Sequence, residues 1–214
     1  MRVVVALFVL LSAACAPSEA EPFSPVDLPA ETSTPGAAQP SPSGSTRTGP
    51  RVETVQVAPG VRVVVEWPAE PDADTTAMIE LLRDYFVGVF RAVTSGGGDT
   101  DYLGLVERDA SPDAYAWVQA FLDQRRSVRG TARLYALNVS STYGAGAELE
   151  ACVDESKMRL IDSSTGKQVP EQPVWTKKPF LQAATMRHHD DGSRRIVLFR
   201  NAELPHERAK GCLR

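Results

Sequence analysis

The spacing of hydrophobic residues changes along this chain and separates predicted strands from predicted helices. Residues 52–57 and 61–67 alternate between hydrophobic and polar on either side of the turn dipeptide Pro59-Gly60, and this pattern predicts a β-hairpin. From 77 to 93 the hydrophobic residues recur every three or four positions. That spacing predicts a long helix with one broad apolar face.

Two glycines and one tripeptide describe the helical part further. Gly88 lies inside the long helix, where glycine costs about 1 kcal/mol relative to alanine, so we expect a close backbone approach there. Ser111-Pro112-Asp113 combines an N-cap, a first-turn proline and a first-turn acid, which predicts the start of another helix. Helical spacing continues beyond it and predicts that this helix ends at Gly130.

After residue 133 the hydrophobic period becomes two. In 134–139 the odd-numbered residues are predicted to share one face of a strand and the even-numbered residues the other. In 147–154 hydrophobic odd-numbered residues alternate with mostly acidic even-numbered ones, which is typical of a strand with one buried face. Segments 180–188 and 194–201 flank an Asp-Asp-Gly turn and predict a last hairpin.

These elements predict an α+β fold, in which N-terminal helices pack on a curved antiparallel four-stranded sheet with an extra N-terminal β-hairpin. The order of elements over 73–204 resembles the nuclear-transport-factor-2-like cone, the fold of ketosteroid isomerases. The stretches Ala151-Cys-Val-Asp-Glu-Ser-Lys157 and Asp162-Ser-Ser-Thr-Gly-Lys167 also resemble uncharacterised actinobacterial lipoproteins with that fold.

The resemblance implies a pocket between the sheet and the first helix. Enzymes of the family place an Asp, a Tyr or a His in that pocket, and Tyr85 and Asp154 are the candidates in this chain. An aspartate in an apolar pocket has a raised pKa, as a general base needs. Asp154 shares its predicted face with Glu148 and Glu150, so we expect it to face solvent and predict no catalytic residue. Trp117 is a candidate for the pocket or for the core.

The first fifteen residues have the pattern of an export signal. One cation, an apolar run and small residues precede Cys15, which predicts a signal peptide over 1–14. The site resembles the lipobox of bacterial lipoproteins, so we expect lipidation of Cys15, with secretion without lipid as the alternative. Residues 15–50 are rich in Pro, Ser and Thr, and this composition predicts a disordered tether. The length of the segment 51–214 predicts a single globular domain. We expect localisation at the cell membrane, on its extracytoplasmic face.

The remaining cysteines form an even pair once Cys15 carries lipid. An oxidising extracytoplasmic space favours a disulfide between Cys152 and Cys212, with two buried free thiols as the alternative. Such a bridge closes a loop of about 60 residues, which the chain-entropy model values at about 4 kcal/mol.

Charge and motifs narrow the expected partners. The formal net charge of −4 argues against nucleic-acid binding. His188 and His189 are adjacent in a predicted strand and point to opposite faces, so we expect no metal site. No GxSxG or HExxH motif and no glycine-rich phosphate-binding loop occurs, and we expect no cofactor.

We therefore predict a non-enzymatic binding or accessory domain of the bacterial envelope. Its expected partners are the membrane, through the lipid anchor, and an envelope protein or a small hydrophobic ligand. The alternative is a small cone-fold enzyme of isomerase or dehydratase type.

Overall fold

The computed structural model describes residues 51–213 and shows a six-stranded sheet with its two long helices on one face. The predicted signal peptide, the lipidation site Cys15 and the tether lie outside the described residues. None of the helices within 51–213 has the length and apolar character to cross a bilayer. In chain order the elements are β1 (Val52–Ala58), β2 (Val61–Glu66), α1 (Ala73–Thr94), a 3-10 turn (Asp101–Leu105), α2 (Ser111–Asp123), β3 (Arg126–Tyr143), β4 (Gly146–Asp162), a 3-10 turn (Val174–Thr176), β5 (Phe180–His188), β6 (Arg194–Ala202) and α3 (Glu207–Lys210).

The prediction of a four-stranded antiparallel sheet is wrong, because the observed sheet has six strands and one parallel pair. Its strands lie in chain order from β1 to β6, and β2 pairs with β3 in parallel, with Val61 opposite Gly130 and Val65 opposite Leu134. Parallel neighbours need a long crossover, which here contains α1 and α2. The hairpin is therefore part of the sheet, and the two long helices follow its first two strands instead of preceding it.

Helix α1 packs its apolar stripe on one face of the sheet, which we call the inner face. Asp72 caps the helix by accepting a hydrogen bond from the backbone N–H of Thr75 at 2.7 Å. Gly88 is the close approach that its position predicts: a Cβ placed there would lie 2.8 Å from Tyr102 Cβ and 3.2 Å from Tyr102 Cα. The absence of a side chain lets the first 3-10 turn lie directly on the helix.

Helix α2 is shorter than predicted. It ends at Asp123, and the residues from Arg126 onward already belong to β3. Gly130 does not end a helix but lies where β3 contacts two neighbouring strands. Its φ is +124°, and a Cβ would lie 2.0 Å from the carbonyl oxygen of Lys157 on β4. The mixture of Arg, Ser and Val in 125–129 suits either element, so local pattern does not locate this boundary.

An irregularity at Ala136 interrupts the period of two in β3. This residue has φ 51°, and the pairing with β4 shifts between Tyr135 and Asn138. As a result, Leu134 and Leu137 both lie in the main core, although the alternation predicts opposite faces for them. Tyr135 belongs to a separate cluster on the other side of the sheet. Bulges of this kind bend long strands and increase their twist.

The outer face of the sheet is covered in part by the C-terminal segment. Cys152 on β4 and Cys212 form a disulfide, the pairing that the sequence predicts. The Tyr135 hydroxyl donates a hydrogen bond to the Cys212 carbonyl oxygen, and Arg208 in α3 pairs with Glu150. These contacts hold the segment 208–212 against the outer face, away from α1.

Candidate ligand-binding site

The inner face and the helices enclose a cavity of about 420 Å³. Strands β4, β5 and β6 form its floor, and α1 and α2 form its walls. Among the described residues, seven aromatic side chains dominate the lining. They are Tyr85, Phe86 and Phe90 from α1, Trp117 from α2, Trp175 from the second 3-10 turn, Phe180 from β5 and Phe199 from β6.

The aromatic rings contact one another around this space. The Tyr85 and Phe199 rings lie 4.6 Å apart between centroids, so α1 and β6 meet at one side of the cavity. Trp117 lies 5.8 Å from Phe90 in an edge-to-face arrangement, which joins α2 to α1. Aromatic pairs at such separations contribute about 0.5–1.5 kcal/mol beyond burial of their area, so the walls are well supported.

Two buried polar side chains, Glu155 and Gln182, also line the cavity. Their residues are only 4% and 7% exposed. Within 51–213 neither side chain has a hydrogen-bond partner or an ion pair. Gln182 lies opposite Ala151 of β4 and opposite Asn201 of β6, and paired residues share a face of the sheet. Glu155 lies four positions beyond Ala151 on the same face.

Burial changes the protonation of Glu155. Desolvation, with a smaller contribution from the neighbouring charge of Asp154, raises the pKa of the Glu155 carboxyl from 4.5 to about 8. At neutral pH this group is therefore mostly a neutral acid, which both donates and accepts hydrogen bonds. Burial also raises the pKa of the Tyr85 hydroxyl, with smaller contributions from Tyr102 and Asp113, so Tyr85 stays protonated.

The cavity opens at a rim of polar residues. Asp113 from α2, Asn201 at the end of β6 and Glu203 just after it line the cavity and are exposed. Of the described residues that form the lining, none is a lysine, an arginine or a histidine. The site therefore combines aromatic walls, one buried carboxyl and two exposed carboxylates.

Two of the three predicted pocket residues belong to this cavity. Tyr85 and Trp117 line it, but Asp154 does not. Asp154 lies on the outer face, in a separate hollow of about 170 Å³ with Val64 and Arg133. Its Oδ1 accepts a hydrogen bond from the backbone N–H of Ser156 at 2.9 Å. The expectation that it faces solvent agrees with this position.

Glu155 is the residue that the sequence analysis missed. The alternation that buries residues 149, 151 and 153 extends by one step to 155, so the signal was present. Charged residues are rarely buried in cores. A search that counts only hydrophobic residues as inward-facing therefore passes over a glutamate at such a position.

The adjacent histidines His188 and His189, for which we expect no metal site, lie away from the cavity. His188 is exposed at the end of β5, and the Nε2 atom of His189 lies 3.2 Å from Oε1 of Glu107. Arg187 also pairs with Glu107, at 2.9 Å. In the part of the chain that the structure describes, no three His, Cys, Asp or Glu side chains are grouped to hold a metal ion.

Comparisons with known proteins give a partial likeness. No protein-family model matches the sequence, and no curated protein matches it. Two solved structures from Novosphingobium aromaticivorans are similar to it, each at 15% identity. One is described as a candidate aromatic ring hydroxylase and is matched over 63% of this chain and 92% of its own, with a TM-score of 0.44. The other is described as an NTF2-like protein with a cystatin-like fold and is matched over 69% of this chain and 99% of its own, with a TM-score of 0.38. The second description names the family that the sequence resembles, and TM-scores this low extend the likeness no further.

Proposed function

We propose that this protein binds a small, largely apolar organic molecule in the aromatic cavity. The observation that carries the proposal is the pair Glu155 and Gln182, which are buried in the lining without hydrogen-bond partners among the described residues. The polar atoms of both side chains are open to the cavity, because neither is among the fully enclosed polar groups without a partner in the described residues. A ligand that fills the space can therefore hydrogen-bond to both, and a volume of about 420 Å³ suits a small molecule.

The test uses the full chain and two probes of equal shape, tert-butylbenzene and phenyltrimethylammonium. Two of the three tryptophans, Trp117 and Trp175, line the cavity, so tryptophan fluorescence reports its occupancy. We expect a saturable change with at least one probe.

A plugged variant and a matched control assign that change to the cavity. Asn201→Phe places a ring at the exposed rim, and Leu198→Phe makes a similar change at an exposed position of the same strand that does not line the cavity. The proposal predicts that Asn201→Phe weakens binding and that Leu198→Phe does not. It is overturned if neither probe binds, or if the two variants bind alike.

Export and lipid anchoring complete the proposed role. We propose that Cys15 carries the lipid and that the domain works at the extracytoplasmic face of the cell membrane, as a binding domain of the envelope. The disulfide supports this, because disulfides persist in oxidising compartments. Replacing Cys15 by Ser and fractionating cells tests it. Loss of membrane retention is expected, and unchanged retention would contradict the lipid anchor.

Glu155 favours one second candidate, an enzyme of isomerase or dehydratase type. A carboxyl with a pKa of about 8 in an apolar cavity is suited to general acid or base catalysis near neutral pH. Conversion of 3-cyclohexenone to its conjugated isomer, followed by absorbance, discriminates the two. Turnover that Glu155→Gln abolishes would favour the enzyme. Binding without turnover would favour the non-enzymatic role.

A further inference from the structure

The charges around the cavity all have one sign. Its lining contains three carboxyl groups, those of Asp113, Glu155 and Glu203, and no basic side chain among the described residues. Asp113 and Glu203 are exposed, whereas Glu155 is buried without a partner. A site whose charged groups are all acidic repels anions and attracts cations, and walls of low dielectric constant strengthen both effects.

The aromatic walls favour the same kind of ligand. The faces of Trp, Tyr and Phe rings attract cations through their quadrupoles. Rings reach this cavity from α1, α2, β5 and β6, so they surround it on several sides. Aromatic residues arranged around a carboxylate suit an organic ammonium group, which is charged and weakly hydrated. A small metal ion would find too few oxygen ligands there.

We propose that the ligand of the cavity is an organic cation, a protonated or quaternary amine with an apolar body. This inference rests on the proposed function and narrows it to one class of molecule. The ammonium group lies among the ring faces near the Glu155 carboxylate, while the amide of Gln182 takes a polar substituent if the ligand has one.

Binding of such a cation is coupled to a proton. Glu155 is mostly protonated when the cavity is empty, because burial raises its pKa to about 8. A cation binds the ionised form better, so its binding releases a proton and its affinity rises with pH up to about 9. The other titratable groups that face the cavity are Tyr85 from α1, Asp113 from α2 and Glu203 after β6; Asp154 acts from the outer face, and β5 contributes uncharged side chains.

The two probes of equal shape test the inference directly. Phenyltrimethylammonium carries a permanent charge and tert-butylbenzene carries none, so neither titrates. At pH 9 we expect the cation to bind the full chain about tenfold more tightly or better. Between pH 6 and pH 9 the affinity for the cation should rise, and that for the neutral probe should fall or stay constant. Calorimetry in two buffers of different ionisation enthalpy should detect release of up to one proton at pH 7.

Variants separate the role of Glu155 from that of the cavity. Glu155→Gln should lower the affinity for the cation at pH 9 about tenfold and retain the neutral probe, whereas Glu203→Gln, at the exposed rim, should have a much smaller effect. Equal or tighter binding of tert-butylbenzene at pH 9 overturns the inference and leaves the proposed function in place. Failure of both probes overturns both. A cation affinity that does not change in Glu155→Gln also overturns the inference.

Discussion

Replacement of Glu155 by Gln should stabilise the folded protein at alkaline pH. The carboxyl of Glu155 is buried without a hydrogen-bond partner within the described residues, and burial raises its pKa from 4.5 to about 8. The folded chain therefore holds this proton more tightly than the unfolded chain does. Below pH 4.5 the carboxyl is protonated in both the folded and the unfolded state, so folding buries no charge and the free energy of unfolding is not reduced. As pH rises towards 8 the unfolded state releases the proton first, and the free energy of unfolding falls.

The size of the effect follows from the two pKa values. The difference between 4.5 and about 8, at about 1.4 kcal/mol for each pH unit, amounts to about 5 kcal/mol. Glutamine has nearly the same shape and no charge to bury. For a domain of this size, 1 kcal/mol corresponds to about 2–4 °C in Tm. The Tm of the variant should therefore exceed that of the unsubstituted chain by about 10 °C or more at pH 9, compared with their difference at pH 4.

Thermal unfolding of the full chain, followed by circular dichroism from pH 4 to pH 9, measures this. Glu203→Gln is the matched control, because it makes the same substitution at an exposed residue lining the same cavity. Its profile should run parallel to that of the unsubstituted chain. Parallel profiles for Glu155→Gln as well would refute the argument that this carboxyl is desolvated.

Three further predictions concern the framework of the fold. Gly88→Ala should lower the free energy of unfolding in urea by about 1–3 kcal/mol, because the new Cβ would lie 2.8 Å from Tyr102 Cβ and overpack the contact between α1 and the first 3-10 turn. Gly104→Ala is the control: its Cβ would meet no atom within 4 Å, so the change should stay within about 0.5 kcal/mol. Equal losses in the two variants would contradict this account. Gly130→Ala should be the most damaging glycine substitution, because its φ of +124° and its 2.0 Å approach to Lys157 O leave no room for a side chain; a soluble variant with unchanged Tm would oppose it. Cys152→Ala combined with Cys212→Ala should lower the free energy of unfolding by about 4 kcal/mol and leave probe affinity unchanged, since the disulfide lies on the outer face; altered affinity in a folded variant would argue against that separation.

Local pattern predicts the features of this fold that depend on neighbouring residues. The hairpin forms around its Pro-Gly turn, and α1 spans the periodic segment. The close approach at Gly88 follows from a glycine that the helix otherwise disfavours. The pairing of Cys152 with Cys212 follows from the count of thiols left after Cys15. The first three inferences need only the spacing of residues within a short stretch, and the last needs only the cysteine count of the chain.

Features that depend on distant residues escape the same reasoning. The parallel pairing of β2 with β3 joins residues more than 60 positions apart, and the sequence of neither strand identifies the strand that it pairs with. The bulge at Ala136 moves Leu134 and Leu137 to the same face, which strict alternation forbids. The boundary after Asp123 lies in a stretch whose residues suit helix and strand equally. The cavity escapes this reasoning too, because its lining comes from α1, α2, β4, β5 and β6, which are far apart in the sequence.

The disulfide has a consequence for strand β4 itself. Cys152 and Glu155 are three positions apart, an odd number, so they point to opposite sides of an alternating strand. A slip of one residue against β5 would turn Cys152 inward, out of reach of Cys212, and would exchange Glu155 for Asp154 beneath the aromatic rings. The disulfide is therefore compatible only with the register of β4 that places Glu155, and not Asp154, in the cavity.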